Sequence, residues 1–181
     1  MQTTTLCLLS LLFLPQITVA QSTAITSIYT SLAQKDCRLL AQGRGEESWI
    51  ERECPGSAGY KLVLTDDDLR QSITVVTPQG KKYPLNYDET ITGKFSTLGK
   101  KAEWRVVQNG GKIFPQALIV RVSTRKPETE EAVDYLAVAK ITDTEICVTD
   151  RIEPGPRSNE QAREAAGRSM RRSCVKTVAR Q

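Results

Sequence analysis

The placement of the five cysteines constrains this chain more than any other feature. Cys7 sits inside an uncharged apolar run from Leu6 to Leu14, and Cys37, Cys54, Cys147 and Cys174 lie well beyond it. The run is about nine residues long, too short to cross roughly 30 Å of hydrocarbon as a helix. It has the length of a signal-peptide apolar region. Thr18 and Ala20 stand where a signal peptidase requires small side chains, so residues 1–20 are expected to be a leader and the mature chain to begin near Gln21. The first charged side chain is Lys35, and Met1 to Thr5 carry no Lys or Arg. This leaves an uncleaved anchor or a buried N-terminal helix as the alternative. Cys7 precedes most of the apolar block, whereas a lipidated cysteine would follow it.

Removing residues 1–20 takes Cys7 away and leaves four cysteines on a single domain spanning 21–181. Four cysteines allow three pairings. Cys37–Cys54 and Cys147–Cys174 are favoured because partners close in sequence meet at the lowest loop-closure cost, each loop contributing on the order of 3 kcal/mol. A zinc site is the competing use, but the cysteines show no C-x-x-C spacing and the 181 residues contain no histidine. The same absence removes every imidazole-dependent triad. No Asn-x-Ser/Thr sequon occurs, which fits a bacterial envelope, periplasmic or secreted, better than a eukaryotic secretory route.

In the mature chain, Ile25, Ile28, Tyr29 and Leu32 recur at helical spacing, so residues 21–36 read as a short helix or arm. Gln42 to Glu46 reads as a loop. Strand character follows in Ser48–Glu53, Tyr60–Leu64, Arg70–Thr77, Lys81–Leu85, Ala102–Gln108, Ile113–Val122, Tyr135–Ile141 and Glu145–Val148. Pro84 marks an edge strand, and Pro115 an edge or bulge. Asn109-Gly110-Gly111 supplies the positive-φ residues of a tight hairpin. Residues 86–101 are mixed and broken by Gly93 and Gly99. After Pro154-Gly155-Pro156, Ser158 with Gln161 forms a capping box for a helix over 159–172. The sum is an α+β chain: six to eight strands in an antiparallel sheet or small sandwich, with a C-terminal helix and a short N-terminal helix or arm.

Three features invite a functional reading. Asp66-Asp67-Asp68 offers three carboxylates to a hard cation, but they are contiguous rather than alternating and no glycine follows at the EF-hand position. A polar turn with Asp side chains capping backbone amides explains them better. Between Arg151 and Gln181 eight bases stand against three acids. Of these, Arg163, Arg168, Arg171, Arg172 and Lys176 form a candidate anion-binding surface, although bases late in a helix also suit its dipole. No aromatic is interleaved with them, which argues against nucleic acid. Ala162, Ala166 and Met170 give a thin apolar face suited to docking on a sheet and poor for lying on a membrane. Trp49, Trp104, Tyr60, Tyr83, Tyr87 and Tyr135 could line a pocket, but aromatics within strand patterns are expected to be core.

The stretches Tyr29-Thr30-Ser31-Leu32, Asp36-Cys37, Ser48-Trp49, Glu53-Cys54-Pro55-Gly56, Gly59-Tyr60, Asp68-Leu69-Arg70, Glu103-Trp104-Arg105, Pro115 to Arg121, Cys147 and Asn159-Glu160-Gln161-Ala162-Arg163 together resemble a family of small exported bacterial proteins without an assigned activity. The resemblance covers nearly the whole mature chain. It implies an envelope location and four structural cysteines, and carries over no active site. No cofactor motif occurs, since Asn109-Gly110-Gly111 leads into a strand rather than a phosphate-binding helix. The expected function is non-enzymatic: binding of an envelope protein or an anionic envelope polymer, with no membrane-spanning segment after processing. The alternatives are an inhibitor of a lytic enzyme, disfavoured because a +4 chain is repelled by basic lysozymes, and a hydrolase using paired carboxylates or a Ser–Lys dyad.

Overall fold

A computed structural model describes residues 24–43, 48–126 and 129–177. The leader, with Cys7, lies outside the described residues, as does most of the Gln42–Glu46 loop.

The strands are β1 (Ile25–Ser31), β2 (Arg38–Gln42), β3 (Trp49–Pro55), β4 (Lys61–Asp67), β5 (Arg70–Val76), β6 (Lys82–Pro84), β7 (Thr97–Asn109), β8 (Lys112–Arg125), β9 (Ala132–Ile141) and β10 (Ile146–Ile152). They form two antiparallel five-stranded sheets ordered β1-β7-β8-β9-β10 and β2-β3-β4-β5-β6. Two helices complete the chain: a single turn α1 (Tyr87–Thr90), and α2 (Ser158–Arg168), which continues as a 3-10 turn over Ser169–Arg171. The expected α+β sandwich with a C-terminal helix is what forms. Ten strands stand among the described residues instead of six to eight, because Ile25–Ser31 and Arg38–Gln42 show no apolar alternation of their own and become strands by pairing with β7 and β3.

Alternation on the inner faces builds the core. Leu62, Leu64, Ile73 and Val75 of one sheet meet Trp104, Val106, Leu118, Val120, Val122, Ala137 and Ala139 of the other, and Leu85, Tyr87 and Ile91 close it along β5. Trp104 is fully buried, and its indole N–H donates to Thr30 Oγ1 at 2.9 Å. Tyr60 packs on it with ring centroids 6.0 Å apart. The outer face of β8 and β9 is apolar too. Ala117, Ile119, Leu136 and Val138 are covered by Ala162, Ala165 and Ala166 of α2, where small side chains let the helix lie close to the sheet.

Within the stretch expected to be a short helix or arm, the described residues 24–36 form a strand and a 3-10 turn. Ile25–Ser31 pairs antiparallel with β7 through seven consecutive residues, from Ile25↔Val107 to Ser31↔Lys101. A weak helical periodicity in a segment rich in Ile and Thr is overridden by the open edge of β7, which also takes Ile28 and Thr30 toward the core. Only Gln34–Asp36 turns helically, as a 3-10 turn.

The turn chemistry is legible. Gly110 and Gly111 both have positive φ, +56° and +74°, in the two-residue β7–β8 hairpin. Gln116, next to Pro115, is the extra residue of a bulge opposite Arg105/Val106, and β6 with Pro84 is an edge strand. Gly99 falls inside β7 rather than breaking it. A Cβ there would sit 2.9 Å from Arg121 Cβ, so only glycine lets β7 and β8 approach at that point.

Both expected disulfides form, Cys37–Cys54 and Cys147–Cys174. The capping box does not. Arg157 occupies the N-cap, and Ser158 is buried inside the first turn with its N–H directed to Gly155 O at 3.2 Å. The Pro154–Pro156 turn delivers the chain into the helix one residue earlier than the Ser158/Gln161 pattern suggests. No helix among the described residues is long and apolar enough to cross a membrane.

Candidate functional site

Two regions of the surface concentrate groups able to bind: the C-terminal cations, and a pair of grooves at one end of the sandwich.

The structure separates the five predicted cations into two kinds. Arg163, on α2, reaches back over the sheet to Glu103 of β7, its Nε 2.7 Å from Oε1 and its Nη2 3.2 Å from Oε2, and also donates to the Tyr29 hydroxyl at 3.0 Å. Ser27 donates to the same carboxylate at 2.6 Å, and Arg105 stands 3.7 Å away. Burial pushes the Glu103 carboxyl up, but the bonds from Arg163 and Ser27 outweigh it and hold the group below the usual carboxylate range, while Glu103 in turn raises the Arg163 guanidinium. Arg172 is ion-paired with Asp150 at 3.0 Å. Its carbonyl accepts from the buried Lys140 ammonium at 3.0 Å, and Lys140 also pairs with Glu145 at 2.5 Å. Arg163 and Arg172 therefore clamp α2 and the segment after it to the sheet. Arg168, Arg171 and Lys176 are exposed and have no carboxylate partner among the described residues.

The Cys147–Cys174 bridge and a Val175 N–H to Val148 O bond of 2.7 Å tie the strap that follows α2 along β10. The strap fixes the backbone on which Arg171 and Lys176 are displayed. Glu145, Cys147 and Cys174 come within 4.8 Å of one another, but both sulfurs are consumed by the bridge, so the cluster offers a cation only Glu145.

The second region is built by three loops. The β4–β5 hairpin tip is Asp68-Leu69, the α1–β7 connection is residues 91–96, and the β8–β9 loop follows Arg125. They are stitched together: Ser96 N–H donates to Leu69 O at 2.9 Å, Gln71 N–H to Ser96 O at 3.0 Å, and Thr124 Oγ1 to Phe95 O at 2.8 Å. Two adjoining grooves result. The first, about 950 Å³, is polar, with Asp67, Asp88, Asn86 and Tyr135 among its lining; the Arg151 guanidinium lies 4.6 Å above the Tyr135 ring. The second, about 730 Å³, has Leu69, Phe95 and Ala132 on its wall. Arg70 and Lys94 form the ridge common to both, with the Arg70 guanidinium 5.0 Å above the Phe95 ring.

The acidic run only reaches the hairpin turn: Asp66 and Asp67 close β4 and Asp68 opens the turn, and among the described residues none of the three side chains caps a backbone amide. Asp66 accepts from the Gln71 amide at 2.9 Å, and Asp68 pairs with Arg70. Of the six aromatics singled out, Trp104 and Tyr87 are fully buried core, Tyr60, Tyr83 and Tyr135 pack at its margin, and Trp49 is 38% exposed. Leu69 and Phe95 escaped the sequence reading. The signal was there: each is a lone large apolar residue in an otherwise polar stretch.

No protein-family model, curated protein or solved structure matches this chain.

Proposed function

We propose that this chain is an exported envelope domain that works by binding an anionic partner, a polymer or a protein surface, and performs no turnover. One observation carries the reading. Once the internal ion pairs are assigned, Arg168, Arg171 and Lys176 remain as exposed cations without carboxylate partners among the described residues, on a segment held by α2 and a disulfide. Uncompensated charge displayed on a fixed backbone attracts opposite charge at little ordering cost. Two disulfides are compatible with a compartment where thiols oxidise, and the resemblance to small exported bacterial proteins points the same way. The buried Glu103 is engaged by Arg163 and the half-buried Asp150, through Oδ1, by Arg172, which suits structure better than proton transfer.

The test is co-sedimentation of the mature, oxidised protein with cell-wall fragments bearing anionic polymers across a salt series. Binding is expected to fall steeply between 50 and 200 mM salt, roughly the range over which screening of exposed charges takes hold. It should be lost in the triple variant Arg168→Gln/Arg171→Gln/Lys176→Gln. Binding indifferent to salt, or retained by the triple variant, overturns the proposal.

A further inference from the structure

We infer that the apolar groove at the loop end of the sandwich is a binding site for a small anionic amphiphile, a single acyl chain with a carboxylate or phosphate head. The inference goes beyond the C-terminal cations and is independent of them.

Backbone strain singles out this end of the molecule. Among the described residues five non-glycine residues have positive φ, namely Ala58, Asp68, Leu69, Asn86 and Glu130, and the last four of these line the two grooves. The hairpins offer an internal comparison. The β7–β8 turn uses Gly110-Gly111, whereas the β4–β5 turn of the same length uses Asp68-Leu69 at φ +48° and +58°. Leucine is a poor residue for the left-handed region, and strain of this kind persists where the side chain is needed for something else. Leu69 gains little from burial, since it is 66% exposed. Phe95, which lines the same groove, is 57% exposed. Two large apolar side chains are thus displayed to solvent by backbone that the rest of the fold holds in place.

Charge selects the ligand. Among the described residues, the groove that contains Leu69 and Phe95 is lined by Arg70, Lys94, Arg125 and Lys126 and by the carboxylate of Glu130. Arg70 is also engaged by Asp68, Arg125 by Glu130 at 4.0 Å, and Lys126 by Glu131 at 2.7 Å. Among the described residues Lys94 is the groove cation without such a partner, and it stands on the ridge beside Phe95. A ligand small enough to lie in the groove meets an apolar wall and a local excess of positive charge. A flat anionic bilayer would also meet Asp67 and Asp88 of the adjoining groove, so a membrane surface fits less well than one molecule. The volume of about 730 Å³ lies in the usual range for small-molecule sites. The anionic head would lie at Lys94 with Arg70 or Arg125 near it, and the chain against Phe95 and Leu69.

The experiment uses the full mature chain with its disulfides intact. Dodecanoate, dodecyl phosphate and uncharged dodecyl maltoside, all below their micellar concentrations, are titrated as competitors of a dansyl-labelled undecanoate. Both anions are expected to displace the probe, with the maltoside at least about tenfold weaker. A preference for the phosphate indicates a phospholipid-derived ligand, and a preference for the carboxylate a free fatty acid. Phe95→Ser and Lys94→Glu should each weaken the anions by about tenfold or more, whereas Lys176→Gln should leave them unchanged. Leu69→Gly should weaken binding and at the same time raise the melting temperature, a combination that general damage to the fold would not produce. The site assignment is overturned if neither anion displaces the probe, if the maltoside competes equally, if Phe95→Ser and Lys94→Glu bind like the parent, or if Leu69→Gly binds like the parent or melts lower.

Discussion

Arg163→Ala is the perturbation that most directly tests how α2 is held. The Glu103 side chain is only 11% exposed and the Arg163 side chain 40%. Truncating Arg163 removes two charge-assisted bonds, at 2.7 and 3.2 Å, and leaves the carboxylate with Ser27 and the more distant Arg105. Hydrogen bonds to charged groups are worth about 1.5–3 kcal/mol, and breaking a fully buried pair about 3–5. Because Arg163 is partly solvated the lower range applies, so the expected loss is about 2–3 kcal/mol. For a domain of this size that is a fall of roughly 5–10 °C in melting temperature. The pH dependence adds a second readout. Glu103 titrates below its unfolded value in the native state, so its contribution is present above the unfolded pKa and disappears as pH falls through the folded one. Urea denaturation at pH 7 and at pH 3 should therefore show a large gap between parent and variant that narrows in acid. A gap under about 0.5 kcal/mol at pH 7, the ordinary scatter of surface substitutions, would refute the clamp. So would a gap of equal size at both pH values.

Two further outcomes follow from the same packing. Replacing Cys147 and Cys174 together by Ser opens a loop with a sequence separation of 27 and should cost about 3–4 kcal/mol, with amide exchange accelerating first over residues 169–177; protection there equal to that of the oxidised protein would mean that the strap is held without the bridge. Trp104→Phe keeps most of the buried ring but leaves the Thr30 hydroxyl without its donor at 2.9 Å, so a loss of about 1–3 kcal/mol is expected by thermal melting, and Thr30→Val in the same background should add little further.

Local chemistry explains why much of the architecture could be read in advance. Gly110-Gly111 fixes a hairpin because the turn demands positive φ, and Pro84 and Pro115 mark an edge and a bulge because proline lacks the ladder donor. The cysteine pairing followed from loop closure. Ile25–Ser31 was misread because its spacing fits a helix and a strand about equally, and the deciding partner, β7, lies some eighty residues away. The cationic cluster shows the same limit. Five basic residues are visible in the sequence, but that Glu103 and Asp150 claim Arg163 and Arg172 depends on where α2 and the strap come to rest.

The sequence by itself determined eight of the ten described strands, the Gly110-Gly111 turn and the C-terminal helix, since each rests on interactions between near neighbours or on the intrinsic geometry of glycine and proline, and it favoured the two cysteine pairs through loop-closure cost alone. Only the tertiary structure decided which charges cancel, which aromatics are buried, and that Leu69, Lys94, Phe95 and Arg125 share one groove. Those outcomes are set by contacts between residues far apart in the chain, 29 positions for Thr124 and Phe95, 60 for Arg163 and Glu103 and 74 for Trp104 and Thr30, a length scale on which local periodicity carries no information.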